Sequence, residues 1–430
     1  MMGKPVGTEL FWVVAGQGMA FLLNIVTLKV LTSQLGAVEY GRFVLGLSIA
    51  GGLGLIFYGP LSQAVSRYVH VCSEAGQQHV LPLLRAAYLR RLALAAALLA
   101  VVLVLVLALL SLPEWVALTV VALGYGAATG ALLVYVAELN TRRQRRICSL
   151  LQSVEVLLRL LVAILLVSWV GRSALWALAG FMMASLAVGW WARSVVNKHT
   201  EGLLASRPAT GDAVIPGFFR YTASFSLFAI PAMFSLYGDR WLVQQMLTQS
   251  DVGIYVALNQ IAAAPANLLL AIFSQLLHPI LFQRAGGGQA LASVHASRML
   301  LYRALSVLVF VLFGIVAVSA LFGEWLTGWL TSTEFARHGG LLWQLALAAG
   351  IFQIGQALAA ETFVHNRPFL LFFPKMAHAV SFLGLAYLWI LPRGLEGVAL
   401  AAVVAALIYL LLVAVTNAWM VARPASGSVP

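Results

Sequence analysis

Residues 91–111 read RLALAAALLAVVLVLVLALLS, a run whose only charged side chain is the first. A helix needs roughly 20 such residues to cross a hydrocarbon layer of about 30 Å. The whole chain has this character, because 62% of its 430 residues are apolar and 9% are charged, with a mean hydropathy of +0.95. A soluble domain carries about a quarter charged residues. The composition therefore excludes a soluble enzyme, a secreted disulfide scaffold and a disordered chain, and it predicts a membrane protein.

Twelve runs of this kind predict an all-α polytopic membrane protein with about 12 transmembrane helices. Their limits are 8–31, 43–66, 91–111, 115–139, 150–170, 173–193, 219–238, 252–280, 299–322, 340–363, 369–391 and 396–421. We expect an N-terminal six-helix bundle over 1–195, a cytoplasmic linker over 196–218 and a C-terminal six-helix bundle over 219–430. A weak internal repeat, which lays Ser62-Gln63 on Ser274-Gln275, favours two pseudo-symmetric bundles, as in transporters.

The net charge of +12 comes from 26 basic and 14 acidic residues. In a membrane protein such an excess indicates basic loops on the cytoplasmic side. With the N-terminus inside, 18 basic residues lie in segments predicted to be cytoplasmic and five lie opposite, while Lys29, Arg159 and Lys375 lie at membrane depth. We therefore expect both termini in the cytoplasm, free thiols at Cys72 and Cys148, and contacts with membrane lipids but none with nucleic acid.

Motifs for enzyme or metal chemistry are absent from the sequence. It contains no GxxxxGK[ST], no HExxH, no GxSxG and no Cys/His cluster at metal spacing. We therefore expect no catalytic residue, no metal and no organic cofactor, with H⁺ or Na⁺ as the candidate coupling ion.

Polar residues recur at helical spacing in the first and eighth runs. Gln17 and Asn24 share a face in the first run, and Asn267 and His278 do so in the eighth. Polar groups at membrane depth need partners or water, so such a face lines an aqueous cavity or meets another helix. Helix–helix hydrogen bonding, worth about 0.6 kcal/mol each, remains the alternative for each single residue.

Ionisable residues inside the runs require an explanation, because placing each one at the bilayer centre costs about 2.5–3.5 kcal/mol of free energy. Glu155 and Arg159 stand at i and i+4, which favours a local ion pair and leaves a cavity-lining role open. Lys375 and His378 stand at i and i+3 without a nearby acid, which favours contact with an anionic ligand. Two further cations, Arg240 and Arg67, are also candidates for contact with an anionic ligand. The alternative for Arg240 is that its side chain snorkels to the membrane surface. The alternative for Arg67 is that it only anchors its helix on the cytoplasmic side by the positive-inside rule.

Short motifs along the chain resemble those of the polysaccharide-transporter flippases, a family of the multidrug/oligosaccharidyl-lipid/polysaccharide (MOP) superfamily. The matching stretches are LTSQLGAVEYGRF at 31–43, YGP at 58–60, SRYV at 66–69, DRWL at 239–242, DVGIYVA at 251–257, HP at 278–279 and GLEGVALA at 394–401. The resemblance covers about residues 8 to 421. It implies two bundles that alternate access around a cationic cavity without ATP.

Membership would imply that the protein moves a polyprenyl-pyrophosphate-linked oligosaccharide across the bacterial cytoplasmic membrane for cell-surface polysaccharide synthesis. It would act beside polymerase or glycosyltransferase machinery, and we expect a monomer. The substrate-binding candidates are Arg67, Arg159, Arg240, Lys375, His378, Gln17, Asn24, Asn267 and His278. The ion-coupling candidates are Asp239, Glu138 and Glu361.

Three other functions stay open at this point. A MATE-type drug or cation antiporter would need unpaired acids deep in the first or seventh run, where Glu9 and Asp239 are both terminal. A lipid II flippase would more often have fourteen spans. A membrane glycosyltransferase, polymerase or ligase would need a catalytic loop on the outer side, and the longest such segment is 323–339.

Overall fold

The computed structural model describes residues 6–204, 214–285, 291–364 and 367–422, and every regular element in these ranges is helical. The longer helices are α1 (6–35), α2 (37–74), α3 (Val80–Leu109), α4 (Pro113–Thr141), α5 (Arg145–Trp169), α6 (Ala174–Leu204), α7 (Val214–Met246), α8 (Gln249–Ala285), α9 (Leu291–Leu330), α10 (Leu342–Leu358), α11 (372–393) and α12 (395–422). Shorter helical turns lie at Thr333–Ala336, Gly339–Leu341, Ala360–Val364 and Pro368–Leu371.

Two glycines divide what would otherwise be very long helices. Gly36 has φ 69° inside Val6–Leu53, and Gly394 has φ 58° inside Phe372–Ala422. Glycine adopts this left-handed conformation readily because it has no Cβ. The segment 32–42, expected to connect the first two spans, is therefore helical on both sides of Gly36.

The predicted fold class is confirmed. Among the described residues, nine helical segments are long and apolar enough to cross a membrane. Two of them, Ala15–Glu74 and Phe369–Met420, contain 60 and 52 residues. At 1.5 Å per residue each is more than twice the hydrocarbon thickness, so each glycine break separates two spans. With α7, which is 33 residues long but is not one of those nine segments, the described residues form twelve helices that are long enough to cross a membrane.

The chain divides into two compact units, 1–233 and 234–430, with the division inside α7. Because residues 205–213 are outside the described ranges, the linker at 196–218 and the boundaries drawn from the sequence stay predictions. In the first unit, the start of α7 contributes Phe218 to a core built from α2, α3 and α4. In the second unit, α8, α9, α10 and α12 share a core around Tyr409.

Close helix packing depends on glycine at two positions. A Cβ on Gly130 of α4 would collide with the ring of Tyr58, and one on Gly355 of α10 would lie 2.7 Å from the ring of Tyr409. The absence of a side chain lets each aromatic ring lie against a helix backbone, as small residues do throughout membrane proteins.

Candidate functional site

A cluster of polar and aromatic side chains from five helices lies inside the second unit. Ser235 Oγ of α7 lies 3.0 Å from His378 Nδ1 of α11. The His378 ring packs against Phe352 of α10, with 4.7 Å between ring centroids, and against Tyr409 of α12 at 5.8 Å. The Tyr409 hydroxyl donates a hydrogen bond of 2.7 Å to Gln356 Oε1. Together with Asn267 and Gln353, described next, these residues form what we call the amide–aromatic cluster.

Asn267 and Gln353 contribute a pair of amides to this cluster. Gln353 Nε2 of α10 donates a hydrogen bond to Asn267 Oδ1 of α8. Asn267 is exposed, whereas Gln353 is 8% exposed. Gln353 Oε1 is buried and has no hydrogen-bond partner among the described residues. The pair therefore keeps unused hydrogen-bonding capacity within two membrane-spanning helices.

Lys375 lies in the first turn of α11, one helical turn before His378. Its side chain is exposed, and it takes part in no ion pair within the described ranges. The two residues share a helix face, as their spacing predicts. The second unit thus presents a cation beside the amide–aromatic cluster.

An open surface depression of about 450 Å³ lies along the start of α9. The described residues that line it are Arg298, Met299, Tyr302, Arg303 and Ser306. Arg298 Nε lies 3.1 Å from Glu361 Oε1, so the coupling candidate Glu361 is already beside a cation.

Asp239 is held by neutral donors. The Tyr255 hydroxyl of α8 donates a hydrogen bond of 2.8 Å to Asp239 Oδ2, and the backbone N–H of Arg240 donates one of 2.9 Å to Oδ1. The Arg240 guanidinium lies over the Tyr237 ring, 5.0 Å from its centroid. Asp239 is buried, although it lies toward the end of α7.

The first unit pairs its buried charges internally. Arg159 of α5 donates to Glu155 on its own helix and, at 3.3 Å, to Thr129 Oγ1 of α4. Ser185 of α6 donates a hydrogen bond of 2.7 Å to Glu155 Oε1. The guanidinium of Arg159 also lies over the Tyr125 ring, 5.5 Å from its centroid. Arg159 therefore has a local counterion.

Glu138 of α4 is completely buried between two arginines. Arg85 of α3 donates to Glu138 Oε2, and Arg142 Nη2 lies 2.9 Å from Oε1. Arg85 also donates to Asn197 Oδ1 of α6 at 3.3 Å. This network joins three helices of the first unit.

The remaining sequence-predicted residues are Arg67, Gln17, Asn24 and His278. Arg67 is exposed near the end of α2, and its guanidinium lies 4.6 Å from the centroid of the Tyr221 ring at the start of α7. On α1, Gln17 is half-buried and Asn24 is exposed. His278 lies in α8, but its side chain is outside the described residues.

Four residues of these groups were not among the candidates predicted from the sequence, namely Gln353, Gln356, Arg298 and Arg303. Gln353 and Gln356 stand at i and i+3 in an otherwise apolar run, which is the same signal that selected Lys375 and His378. Arg298 and Arg303 were counted only as orientation charges. Their spacing of five residues, with Tyr302 and Ser306 close by, could have indicated one polar side of α9.

Solved structures of similar fold belong to transporters. One is lipid II flippase MurJ in an inward closed conformation, with 14% identity and a TM-score of 0.71 over 94% of this chain and 86% of that one. Another is an inward-facing multidrug resistance MATE transporter of the MOP superfamily, with 13% identity, a TM-score of 0.68 and coverage of 99% and 98%. A third is a mutant of the Vibrio cholerae MATE transporter VcmN, with 16% identity, a TM-score of 0.63 and coverage of 97% of each chain.

These likenesses establish a fold shared with the MOP superfamily. No curated protein matches the chain. A family model does match it, over residues 6–285, and that model describes polysaccharide biosynthesis proteins. Because the match covers well over half of the sequence, the chain belongs to the polysaccharide biosynthesis protein family.

Proposed function

We propose that the protein moves a polyprenyl-pyrophosphate-linked oligosaccharide across the bacterial cytoplasmic membrane by alternating access. The observation that carries the proposal is the exposure of Asn267 and Lys375 in membrane-spanning helices of a protein from a polysaccharide biosynthesis family. An amide and a cation cost free energy when they face lipid, so they belong beside water or a polar substrate. A glycan joined to a pyrophosphate is such a substrate.

The fold supports transport as the activity. One solved protein of this fold is itself a lipid II flippase. We propose that this protein is a transporter without catalytic activity of its own, that both termini lie in the cytoplasm, and that it hands the glycan to polymerase or glycosyltransferase machinery.

For energy coupling we propose Asp239 as the site of H⁺ or Na⁺ exchange. Arg85 and Arg142 occupy both carboxylate oxygens of Glu138, and Arg298 lies beside Glu361. Asp239 instead accepts hydrogen bonds from neutral donors. An arginine in an ion pair competes with a transported cation for the carboxylate. Asp239 takes part in no ion pair within the described ranges, which favours it over the other two candidates.

A reconstitution assay tests the main proposal. The purified full chain is placed in liposomes with a fluorescent polyprenyl-pyrophosphate oligosaccharide, and a membrane-impermeant glycosidase reports how much glycan lies outside. Protein-free liposomes leave about half of the glycan protected, and we expect the protein to make nearly all of it accessible. Protection equal to that of protein-free liposomes would contradict the proposal.

A MATE-type antiporter is the second candidate, and Asp239 is the observation that favours it. Solved MATE transporters share the fold, and a buried carboxylate with neutral donors suits proton-coupled efflux of a cation. Efflux of a fluorescent organic cation driven by an imposed pH gradient, together with no glycan translocation, would replace the flippase assignment.

A further inference from the structure

The Asn267–Gln353 pair has hydrogen-bonding capacity that the protein does not use. An amide side chain offers two donor hydrogens and one acceptor oxygen. The single bond from Gln353 Nε2 to Asn267 Oδ1 leaves the Asn267 nitrogen available and Gln353 Oε1 without a partner among the described residues. A buried unpaired polar atom costs about 1–3 kcal/mol, so such an atom calls for an explanation.

The position of Asn267 indicates that the pair faces water. It is the central residue of α8, 18 residues from either end of Gln249–Ala285. At 1.5 Å per residue it lies about 27 Å along the axis from each end, which is inside the hydrocarbon layer for a spanning helix. An exposed amide at that depth is stable next to water or a polar ligand and is costly next to lipid.

The chemistry of the amide–aromatic cluster selects the class of ligand. Its contacts within the described ranges join amides, a hydroxyl, a phenol and aromatic rings, and none of them involves a carboxylate, Lys or Arg. A pyrophosphate requires cations, and no member of the cluster is Lys or Arg; Lys375, one turn before His378, lies beside the cluster and is not part of it. A neutral sugar residue presents hydroxyls that donate and accept at once, which matches a free amide N–H beside a free amide oxygen.

The cluster also fixes the orientation of α10, which carries Gln353. Gln356, one turn further along, accepts from Tyr409, and Phe352 packs against the Tyr409 ring with 5.0 Å between centroids. Gln353 is thus flanked on its own helix by two residues anchored to α12. A polar group held in place in this way binds without first losing side-chain freedom.

We propose that the Asn267–Gln353 pair binds the hydroxyl groups of a neutral sugar residue and lets the protein distinguish a glycan-bearing lipid from the bare polyprenyl pyrophosphate. The inference rests on the proposed function, because it assigns the sugar-recognition part of the same substrate.

Two lipids that differ only in sugar content test the inference. Binding of polyprenyl pyrophosphate and of the same lipid carrying one N-acetylhexosamine is measured with the full chain in detergent. The wild type is expected to bind the sugar-bearing lipid more tightly. Gln353→Leu and Asn267→Ala are each expected to lower that affinity by about two- to tenfold, the effect of one neutral hydrogen bond. Affinity for the bare pyrophosphate is expected to stay unchanged.

Gln344→Leu is the matched control. Gln344 lies on the same helix, is also 8% exposed, and also has a buried Oε1 without a hydrogen-bond partner among the described residues. It lies nine residues before Gln353, about 13 Å along the helix axis. We expect this variant to retain the wild-type preference for the sugar-bearing lipid. Asn267→Ala provides a second variant at an exposed site, should Gln353→Leu fail to fold.

Failure of the inference differs from failure of the proposed function. If the wild type prefers the sugar-bearing lipid and both variants keep that preference, or if Gln344→Leu loses it equally, the pair is not the sugar contact. If both variants lose affinity for the two lipids alike, the pair does not distinguish them and the inference is wrong. If the wild type binds neither lipid, the proposed function itself is overturned and the inference with it.

Discussion

Replacing Glu155 with leucine is expected to destabilise the first unit strongly. Glu155 is buried and accepts hydrogen bonds from Arg159 and from Ser185. Removing one partner of a buried ion pair leaves the other charge uncompensated and costs about 3–5 kcal/mol. Most of this cost comes from Arg159, which would remain among helices α4, α5 and α6 without its counterion.

The double variant Glu155→Leu/Arg159→Leu separates stability from transport. Replacing both members of a buried pair with apolar residues is often neutral or stabilising. We therefore expect the double variant to recover to within about 1–2 kcal/mol of the wild type. If Arg159 only neutralises Glu155, glycan translocation also recovers. A stable double variant that does not transport would assign Arg159 to the substrate path.

Denaturant titration in detergent micelles measures these free energies of unfolding. Glu114→Gln is the control, because Glu114 is exposed and pairs with Arg42 at 3.3 Å. An exposed pair of this kind contributes at most about 1 kcal/mol. A Glu155→Leu variant no less stable than this control would refute the reasoning, as would a double variant no more stable than the single one.

Three further predictions concern the buried carboxylate Glu138, the coupling candidate Asp239 and two exposed cations. Glu138→Leu leaves two arginines without their shared carboxylate, so we expect a loss of at least about 3 kcal/mol in the same titration; an unchanged free energy of unfolding would contradict the network. Asp239→Asn removes the charge, keeps one oxygen to accept from the backbone N–H of Arg240, and places an amide nitrogen that can donate to the Tyr255 hydroxyl. We therefore expect a stable protein whose transport no longer responds to collapse of the ion gradients; a response equal to that of the wild type would exclude Asp239 as the coupling site. Lys375→Ala combined with Arg67→Ala removes two exposed cations, and we expect glycan export in a deletion strain to fall at least tenfold; intact export would remove both from the substrate path.

The fold could be predicted because it depends on local properties of the sequence. Apolar runs of bilayer length identify the spans one by one, and no long-range contact is needed to recognise them. The connection between the first two spans was harder to predict from the sequence. A break of one residue at Gly36, with helix on both sides, cannot be distinguished by hydropathy from a longer loop.

The candidate site could be predicted only where partners are close in sequence. The pairing of Glu155 with Arg159 follows from their i, i+4 spacing, whereas their contacts with Ser185 and Thr129 depend on helix packing. The same limit applies to Glu138, one of whose arginines is 53 residues away. Gln353 was missed because its partner Asn267 lies on another helix, 86 residues away.

Exposure has the opposite meaning in this protein from its meaning in a soluble one. In water an exposed lysine or asparagine is ordinary and a buried charge is the informative residue. In a bilayer a buried charge with its counterion, such as Glu155 or Glu138, is satisfied by the protein itself. An exposed polar side chain in a spanning helix is stable next to water or a polar ligand and is costly next to lipid. We therefore expect Asn24, Asn267 and Lys375, which are exposed in α1, α8 and α11, to line the substrate path, and the paired charges to hold the helices together.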